Sequence, residues 1–561
     1  MSKSIRFALF GAAVLMLASC KNMQVKEEYF VTTPDPLEVN GGVVEYQVTG
    51  TFPSKSFIKN VVCVATPELR WEGGSVKGEP VTLQGEKVQG NGKTIAWKEG
   101  GSFTYNGSFK YQPEMAKSKL YVTFDATKKG KPIELEPVFL VDGVKATAEL
   151  YAETAKSANT AASKDAFQRI INQAQNANIM FVIQQANVRS SETKSDSVKA
   201  LVQALKDFTA DTKGYAIDNV EVFAYASPDG GVKLNDRLAS QREKNAAQYV
   251  KNEVKKAKSK APIDQKYQAQ DWEGFKELVQ KSNLQDKDLI LRILSMYDDP
   301  EKREAEIKNL SAVYKDLADD ILPQLRRARL TLNYQIIGRT DEEIQEAYKS
   351  DPSVLSVEEL LYAATLTEDK AQKKAIYTTT TKNYPNDYRA FNNLGEIAFA
   401  DGDFATAEAN FKKALALNAS APEVNTNMGL LCLAQNKPAE AQTYFAKGGE
   451  AKENQEALGA LYIAQGNYER AQNALKGSNT NAEALAMIMN NDLNGAKRVL
   501  AAVKNADANT AYLSAIVAAR SNDRAGVSQN LKKAVSLDSS MKAKAQNDLE
   551  FVKYQDEVNA L

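Results

Sequence analysis

A repeat of 34 residues in the last third of the chain restricts its fold more than any other feature of the sequence. Glycine, alanine and phenylalanine recur at this interval as Gly395 and Gly429, Ala407 and Ala441, and Phe411 and Phe445. A shorter unit follows, in which Gly459, Ala471 and Leu475 return after 30 residues. Small residues at fixed places let paired helices approach closely, and the phenylalanines fill the space between them. We therefore predict about four to six units of paired helices over residues 354–555.

The positions of these residues resemble those of the tetratricopeptide repeat (TPR). The resemblance implies an all-α solenoid whose concave face binds peptides or protein surfaces. The residues expected on that face are Arg389, Asn392, Glu396, Thr426 and Leu430. Some members of the family clamp a C-terminal carboxylate with lysine and asparagine, but the lysine positions do not match here. A general protein groove is the alternative that this mismatch favours.

The N-terminus carries the features of an export signal. Two basic residues precede an apolar run over residues 7–18 that is too short to span a bilayer, and small residues stand just before Cys20. This arrangement resembles the lipobox of bacterial lipoproteins. The resemblance implies a signal peptide at 1–19, a lipid such as palmitate on Cys20, a tether at 20–27 and attachment to the outer membrane. The alternative is an N-terminal anchor helix with an incidental cysteine.

The residues after Cys20 bear on which face of the outer membrane the protein occupies. In the Bacteroidetes-like lipoproteins that the chain resembles, surface export is associated with acidic residues directly after the lipidated cysteine. Here that place is taken by Lys21, Asn22, Met23 and Gln24, and the acids Glu27 and Glu28 come later. We therefore expect the periplasmic face rather than the cell surface.

The composition of the chain excludes several kinds of chemistry. It contains no histidine, so Ser/His and Cys/His nucleophile pairs and imidazole metal sites are ruled out. Lysine plus arginine and aspartate plus glutamate both number 71, so no net basic field favours nucleic acid. After Cys20 only Cys63 and Cys432 remain, and we expect no disulfide framework. No metal site and no cofactor are predicted.

Residues 28–145 alternate between apolar and polar types with the period of half-buried strands. Val44, Tyr46 and Val48, for example, alternate with polar neighbours. Short strands of this kind, without helical patterns between them, favour an all-β immunoglobulin-like sandwich. The pair Asn106-Gly107 is typical of a two-residue hairpin turn, so we expect one strand to end and the next to begin there.

Small and polar residues predominate after this domain. Residues 146–177 therefore predict a linker, which grades into a helix near Phe167 to Ala174.

Residues 178–340 follow a β-α-β order. Apolar runs at 179–183 and 220–223 are typical of buried strands, and a helical pattern lies between them. The second strand leads into a turn and a helix. In that stretch Tyr225, Gly230, Asn235, Leu238 and Arg242 fall at the spacing of the OmpA-like C-terminal family, which this region resembles. A helix-rich stretch at 271–325 stands where the family has a short connection, so we expect an α/β OmpA-like domain with a helical insertion.

The OmpA-like resemblance implies a peptidoglycan site. In the family, an aspartate of the turn and the arginine of the following helix hold the charged ends of diaminopimelate. Here Arg242 is present, Ser227 stands at the aspartate position and Asp229 lies two residues on. The residues that the resemblance assigns to the site are Ser227, Asp229, Asn235 and Arg242. The alternative for Arg242 is a structural ion pair with a neighbouring acid.

Together these features favour a non-enzymatic multidomain scaffold. The lipid would fix one end, the OmpA-like domain would reach toward peptidoglycan, and the repeats would recruit protein partners in cell-envelope assembly or organisation. The alternative is a surface-exposed adhesin or an accessory lipoprotein of a nutrient-uptake complex, in which the β-sandwich would carry the activity. An enzyme is the third class, and the sequence shows no nucleophile with a base, no Gly-rich phosphate loop and no ligand cluster to support it.

Overall fold

The computed structural model describes residues 23–284, 287–309, 311–449 and 452–561. The predicted signal peptide and Cys20 lie outside the described residues. The chain forms two compact units. Unit 1 combines the chain up to Lys164 with the chain from Thr367 onward, and unit 2 is Asp165–Leu366.

The N-terminal part of unit 1 is rich in strands, as the alternation predicts. The strands are β1 Phe30–Thr33, β2 Val39–Asn40, β3 Val43–Phe52, β4 Val61–Trp71, β5 Gly74–Lys77, β6 Val81–Gly85, β7 Lys93–Ile95, β8 Gly101–Lys110, β9 Ser118–Lys128, β10 Lys131–Ile133 and β11 Val138–Asp142. Strands β1, β3, β2 and β8 form one sheet, and the other seven form a second. Phe52 and Phe103 from the first sheet share a core with Cys63 and Val122 from the second.

The described end of the predicted tether belongs to this core. Met23 is only 3% exposed and packs in the same cluster as Phe52, and Val25 packs against that cluster. Within the tether predicted over residues 20–27, Met23 and Val25 are therefore packed on the β-rich region, because an apolar side chain gains more by packing than by exposure to water.

The predicted hairpin at Asn106-Gly107 is also wrong. Both residues lie inside β8, which pairs with β3 without interruption, Tyr46 opposite Gly107. A Cβ at Gly107 would overlap the Tyr46 ring. Gly107 is thus needed for close approach of a cross-strand aromatic ring rather than for a turn.

The predicted linker is ordered in two different ways. Its first part forms a 3-10 turn, Thr147–Leu150, and a short helix, α1 Tyr151–Ala155, both in unit 1. Its last part is a long strand of unit 2, β12 Ile170–Met180, where a helix near Phe167 to Ala174 was expected. The first half of β12 is exposed and is fixed by backbone pairing with β15. Because its side chains are not alternately buried, the sequence there shows no strand-like alternation of apolar and polar residues.

The centre of unit 2 is a four-stranded sheet covered on one face by helices. Its elements are β12, α2 Ser190–Thr193, α3 Asp196–Ala210, β13 Tyr215–Tyr225, α4 Val232–Lys256, β14 Ile263–Gln268 and, after the insertion, β15 Arg327–Ile337. The strand order is β12-β15-β13-β14, and only β13 and β14 run parallel. Leu201 of α3, Val250 of α4 and Leu330 of β15 meet in the core between sheet and helices.

Residues 271–325 are helical and have a core of their own. The helices are α5 Trp272–Lys281, α6 Lys287–Met296, α7 Pro300–Asn309 and α8 Ser311–Asp316, then a π-helical turn Leu317–Ile321 and α9 Leu322–Leu325. Trp272, Phe275, Ile293 and Leu322 lie in this core. The Asp271 carboxylate caps α5 by accepting a hydrogen bond from the Gly274 amide.

Unit 2 ends with α10 Asp341–Ser350 and α11 Val357–Ala363. The predicted start of the repeats at residue 354 is therefore too early. The reason is a specific contact: Arg339, just after β15, donates to the Glu359 carboxylate of α11 at 2.8 Å and holds this helix in unit 2.

The described C-terminal part of unit 1 is entirely helical. Its helices are α12 Lys370–Asn383, α13 Tyr388–Ala400, α14 Phe404–Leu417, α15 Pro422–Ala434, α16 Pro438–Phe445, α17 Lys452–Ala464, α18 Tyr468–Leu475, α19 Asn481–Met489, α20 Leu493–Ala502, α21 Ala508–Arg520, α22 Arg524–Leu537, α23 Ser540–Asn547 and α24 Gln555–Asn559. Successive helices from α13 to α22 pack in pairs. The small residues act as expected, since a Cβ at Gly395 would overlap the Phe411 ring and one at Gly429 the Phe445 ring.

Candidate functional site

The face formed by the first helices of successive repeat pairs, called the groove below, is occupied by the protein's own chain. Residues 147–164, called the groove segment below, run along the first helices of successive pairs, and α1 contacts α15, α17 and α19. Leu150, Tyr151 and Ala155 belong to the same hydrophobic core as the repeats. The stretch predicted as a linker is therefore, up to Lys164, a segment bound within the groove.

Beyond α1 the groove segment is extended and is held by its backbone. The Ala161 amide donates to the Asn427 side-chain oxygen at 2.8 Å, and the Ala161 carbonyl accepts from the Asn427 and Asn392 amide groups, each at 2.9 Å. A carboxamide carries both a donor and an acceptor, so it can satisfy a peptide group as a neighbouring strand would. This contact does not depend on which side chain the segment presents.

Ser163 is held in the same way two residues further on. Its amide donates to the Asn393 side-chain oxygen at 2.9 Å, and its carbonyl accepts from the Asn393 amide group at 3.0 Å. Its hydroxyl donates to Glu423 at 2.8 Å. Ala161 and Ser163 are 4% and 3% exposed, whereas Ala162 between them is exposed. The groove therefore selects small side chains at alternate positions.

The five residues predicted to face a partner divide into two groups. Arg389 and Asn392 contact the groove segment, since Arg389 reaches the Lys164 carbonyl at 3.5 Å and Asn392 donates to the Ala161 carbonyl at 2.9 Å. Glu396 lies beside them, close enough to Thr160 for that hydroxyl to lower its pKa. Thr426 and Leu430 are instead fully buried. The Thr426 hydroxyl bonds to the Pro422 carbonyl and the Asn454 side chain, and Leu430 packs in the repeat core, so neither presents a free surface.

The groove around Thr160 is acidic. Burial raises the pKa of Glu396 to about 7, the Thr160 hydrogen bond opposes this, and the nearby Glu453 and Glu423 carboxylates add to the rise. The Arg389 guanidinium is bound on both sides by Asp387, with distances of 3.1 and 2.7 Å. Asp387 is thus a direct ion-pair partner of Arg389.

The other end of the groove segment joins a buried polar network. The Thr147 hydroxyl donates to the Glu550 carboxylate at 2.6 Å. Arg520 donates to the same carboxylate and, at 3.1 Å, to Glu38 of the β-rich region. The segment thus links the first sheets of unit 1 to its last helices.

In unit 2 the four residues of the predicted peptidoglycan site do lie together. The recess that they line lies between the β13–α4 turn and the start of β15, and its volume is about 50 Å³. The Asn235 amide group donates to the Ser227 and Gly230 carbonyls at 2.9 and 2.7 Å and so fixes the turn. The Ser227 hydroxyl donates to the Asp229 carboxylate.

Sequence reasoning missed a fifth residue of this recess, Arg326. Its guanidinium pairs with Asp229 at 2.8 Å and also donates to the Ser227 hydroxyl at 3.3 Å. Asp229 thus supplies the carboxylate that Ser227 lacks, but an arginine of the chain already neutralises it. The Arg326-Arg327 pair at the start of the last strand indicates a basic residue in this part of the sequence. It does not indicate that Asp229 is the partner.

Arg242 is an internal strut rather than an exposed anchor. It is 1% exposed, and it donates to the Tyr225, Gln185 and Val182 carbonyls at 2.9, 3.0 and 3.4 Å. Burial and the neighbouring Arg326 lower its pKa to about 10. Arg242 thus has a structural role, but its partners are backbone carbonyls and not the neighbouring acid that the expected ion pair would require.

Neither site resembles a metal centre or a membrane anchor. Among the described residues, no group of three or more cysteines, aspartates and glutamates is arranged to hold a metal ion. Cys63 and Cys432 are buried thiols, and burial is the main cause that raises the pKa of each. In the described ranges no helix combines the length and the apolar character that a bilayer crossing requires.

Comparison with known proteins bears on the repeats. A family model described as tetratricopeptide repeat matches residues 398–462. No curated protein matches the chain significantly. Similar solved structures include a tetratricopeptide repeat protein from Parabacteroides merdae, with 16% identity, 37% of this chain and 91% of that chain covered and a TM-score of 0.29. Pseudomonas aeruginosa PilF is 17% identical, with 39% of this chain and all (100%) of that chain covered and a TM-score of 0.27. Yeast Tom70 is 11% identical, with 59% of this chain and 75% of that chain covered and a TM-score of 0.24.

The family match spans α14 to α17 at the centre of the paired helices, where the 34-residue spacing is strictest. The glycine–phenylalanine contacts within the pairs are the packing that this spacing predicts. The C-terminal part of the chain therefore carries tetratricopeptide repeats.

Proposed function

We propose that this protein is a non-enzymatic scaffold that binds partner proteins in the groove of its tetratricopeptide repeats. One observation carries the proposal: Asn392 and Asn427 hold both polar groups of the Ala161 backbone, as a groove for extended peptides does. The absence of histidine from the chain supports the non-enzymatic part.

The test is crosslinking in cells. A photoreactive residue replaces Tyr388, which belongs to the wall of the groove because its hydroxyl donates to Glu423 beside Ser163, and another replaces Val31, which is 67% exposed on the β-rich region. We expect a defined set of adducts with other proteins at position 388 that disappears in an Asn392→Ala/Asn427→Ala background, and no such set at position 31. Adducts that persist in that background would place partner binding elsewhere and contradict the proposal.

We propose further that a lipid on Cys20 anchors this scaffold at the outer membrane, facing the periplasm. The lipobox-like residues before Cys20 support this. Cys20→Ala should release the protein into the soluble fraction, since one acylated residue provides the attachment. Unchanged membrane fractionation would defeat the anchor. Protease treatment of intact cells separates the two faces: degradation would favour the alternative, a surface adhesin or nutrient-uptake accessory.

The finer assignments of the two remaining regions are also proposals. We propose that residues 28–145 form an immunoglobulin-like sandwich and that the α/β region of unit 2 is OmpA-like and contacts peptidoglycan. The strand order β12-β15-β13-β14 and the recess with Asp229 and Arg326 support the second assignment. Asp229 and Arg326 supply one acid and one base, and a zwitterionic ligand would have to exchange their ion pair for its own two charges.

Binding to purified sacculi tests the peptidoglycan contact. Because Arg242 is buried, its replacement would confuse binding with folding, and Asp229→Asn is the better probe. We expect Asp229→Asn to reduce cosedimentation and Ser227→Asp, which adds an acid to the same recess, to increase it at low ionic strength. Equal cosedimentation of all three proteins would remove this recess from the proposal.

A further inference from the structure

The sheet of unit 2 has two edge strands that differ in length and charge. β14, at one edge, is six residues long and carries Asp264 and Lys266, charges that hinder pairing with a further strand. β12, at the other edge, is eleven residues long and its sequence contains no charged residue and no proline. It pairs with β15 over its whole length without a shift in register. β12 therefore lacks the features that normally protect a sheet edge from the addition of a strand.

Alternate peptide groups of β12 point away from its own sheet. The Phe181 amide donates to the Arg326 carbonyl at 2.6 Å, so the odd-numbered residues of this strand bond to β15. The even-numbered residues face outward, as Met180 shows, since its amide donates to the Glu192 carboxylate at 3.2 Å. Within the described chain, five further outward peptide groups are exposed and make no hydrogen bond, those of Ile170, Asn172, Ala174, Asn176 and Asn178.

The sequence of this edge is symmetric about Ala174. From Asn172 to Asn176 it reads Asn-Gln-Ala-Gln-Asn, the same in both directions. In an antiparallel pair of two β12 strands centred on Ala174, Asn172 lies opposite Asn176 of the second copy. Gln173 likewise lies opposite Gln175. A carboxamide is both a donor and an acceptor, so each of these side chains can hydrogen-bond to its like. The symmetry therefore favours a second copy of this strand as the occupant of the edge.

The residues outside this symmetric stretch also suit such a pair. Ile171 lies on the same face of the sheet as Ala177, which is buried against the helices. Ile171 itself is 36% exposed, and in the pair it would lie opposite Ala177 of the second copy, so that pairing adds an apolar contact. Because β12 carries no charge, the pair brings no like charges together.

We propose that two copies of this chain dimerise through β12, antiparallel and centred on Ala174, so that their two sheets become one continuous sheet. The outward peptide groups of each β12 then bond to those of the other. The charged β14 edges remain at the two ends of the joined sheet and hinder further growth, so the assembly closes as a dimer. This goes beyond the proposed function, because it concerns unit 2 and not the groove of the repeats.

Disulfide trapping locates the centre of the pair. The Cys20→Ala chain is used, whose native cysteines are the buried Cys63 and Cys432. We expect Ala174→Cys to form a disulfide-linked dimer, because opposed Cα atoms in an antiparallel pair lie about 5.5 Å apart, within reach of a disulfide. Asn178→Cys, also exposed on β12, is the matched control and should form none, since the two copies of residue 178 would lie more than about 25 Å apart. Equal trapping at both positions would overturn the proposal.

Charged variants test the register by sedimentation equilibrium. Asn172 and Asn176 are both exposed. Asn172→Lys/Asn176→Lys sets lysine opposite lysine twice, and we expect the dissociation constant of the dimer to rise about tenfold. Asn172→Lys/Asn176→Glu sets lysine opposite glutamate twice and should dimerise at least as tightly as the parent at low ionic strength. Hydrogen exchange of β13 checks that unit 2 stays folded in each variant.

The remaining outcomes also decide the proposal. A parent chain that stays monomeric at every concentration at which it dissolves would overturn it, as would equal dissociation constants for the two charged variants. If Ala174→Cys is trapped in cells with a different protein and not with itself, the edge belongs to that protein and the dimer is wrong. If a charged variant loses protection in β13, the comparison of the cysteines at 174 and 178 decides.

Discussion

The groove of the repeats and the recess of unit 2 use polar side chains to hold the backbone of the same chain, but with different consequences. In the groove, Asn392, Asn393 and Asn427 hold a segment that crosses the surface of the repeats. In the recess, Arg242 holds the carbonyl of Tyr225, the last residue of β13, and the carbonyl of Gln185 in the loop after β12. Another chain could replace the first set of contacts, whereas loss of the second would open the sheet. A buried polar side chain indicates a binding site only when its partner can leave.

The largest expected effect tests the recess. Arg242→Ala should destabilise unit 2 by on the order of 3 kcal/mol, because three backbone carbonyls lose their donor in a buried place. Hydrogen exchange of β13 and α4 in the full chain measures this. Arg237→Ala, at an exposed position of the same helix, is the control and should change little. Equal protection in both variants would mean that Arg242 is not a structural contact and would restore it as a ligand anchor.

A smaller effect is expected in the groove. Asn427→Ala leaves the buried Ala161 amide without its acceptor, which costs about 1 to 3 kcal/mol. The loss should appear as faster exchange and easier proteolysis over residues 157–164, with the repeat helices unchanged. Asn410→Ala serves as control, since the Asn410 amide bonds to Thr406 within its own helix. Unfolding of the repeats together with the segment would show that the segment is an integral part of the repeat fold. The groove contacts would then be structural, like those of Arg242 in the recess.

The smallest effect is a dependence on pH, because only the part of the Glu396 pKa shift that closure of the segment causes contributes to it. Because the folded-state pKa of Glu396 is raised to about 7 from an ordinary value of 4.5, this group favours the closed segment when it is protonated. Its contribution is complete below about pH 4.5 and is lost as the pH rises through 7. Exchange of the Ala161 amide should therefore accelerate, beyond its intrinsic pH dependence, between pH 5 and about 8.

Glu396→Gln should remove most of this extra acceleration, whereas Glu469→Gln, at an exposed position of α18, should leave it in place. A profile for Glu396→Gln that matches the parent would assign the effect to another group.

The sequence predicts the repeats well because their packing depends on side-chain volume. Gly395 must be small to accommodate the Phe411 ring, and such pairs recur at a fixed spacing. The groove segment has no such spacing. Its contacts at Ala161 and Ser163 run through peptide groups, and every residue has those, so a bound segment of small polar residues has the same composition as a linker. In the same way, backbone pairing fixes the first half of β12, so the prediction of a helix near Phe167 to Ala174 is wrong.

The recess shows the reverse case. Ser227, Asp229, Asn235 and Arg242 lie together because a single turn and helix carry them. Arg326 joins them from the other side of a helical insertion, and a local pattern could not reveal it. Spacing in the sequence thus predicts which residues share a site when one turn and helix carry them. It does not predict that a distant residue, here Arg326, neutralises one of their charges.

The discontinuity of unit 1 has a consequence for synthesis of the chain. Glu38, Thr147, Arg520 and Glu550 meet in one buried network, yet the ribosome makes the last of them some four hundred residues after the first two. Unit 2 is complete before the repeats exist and the β-rich region has cores of its own, so both can fold first, while the groove segment waits for a surface that has not been made. During that interval Leu150, Tyr151 and Ala155 have no core to enter. The nascent chain thus carries an apolar segment without its packing partners until helices α15, α17 and α19 emerge.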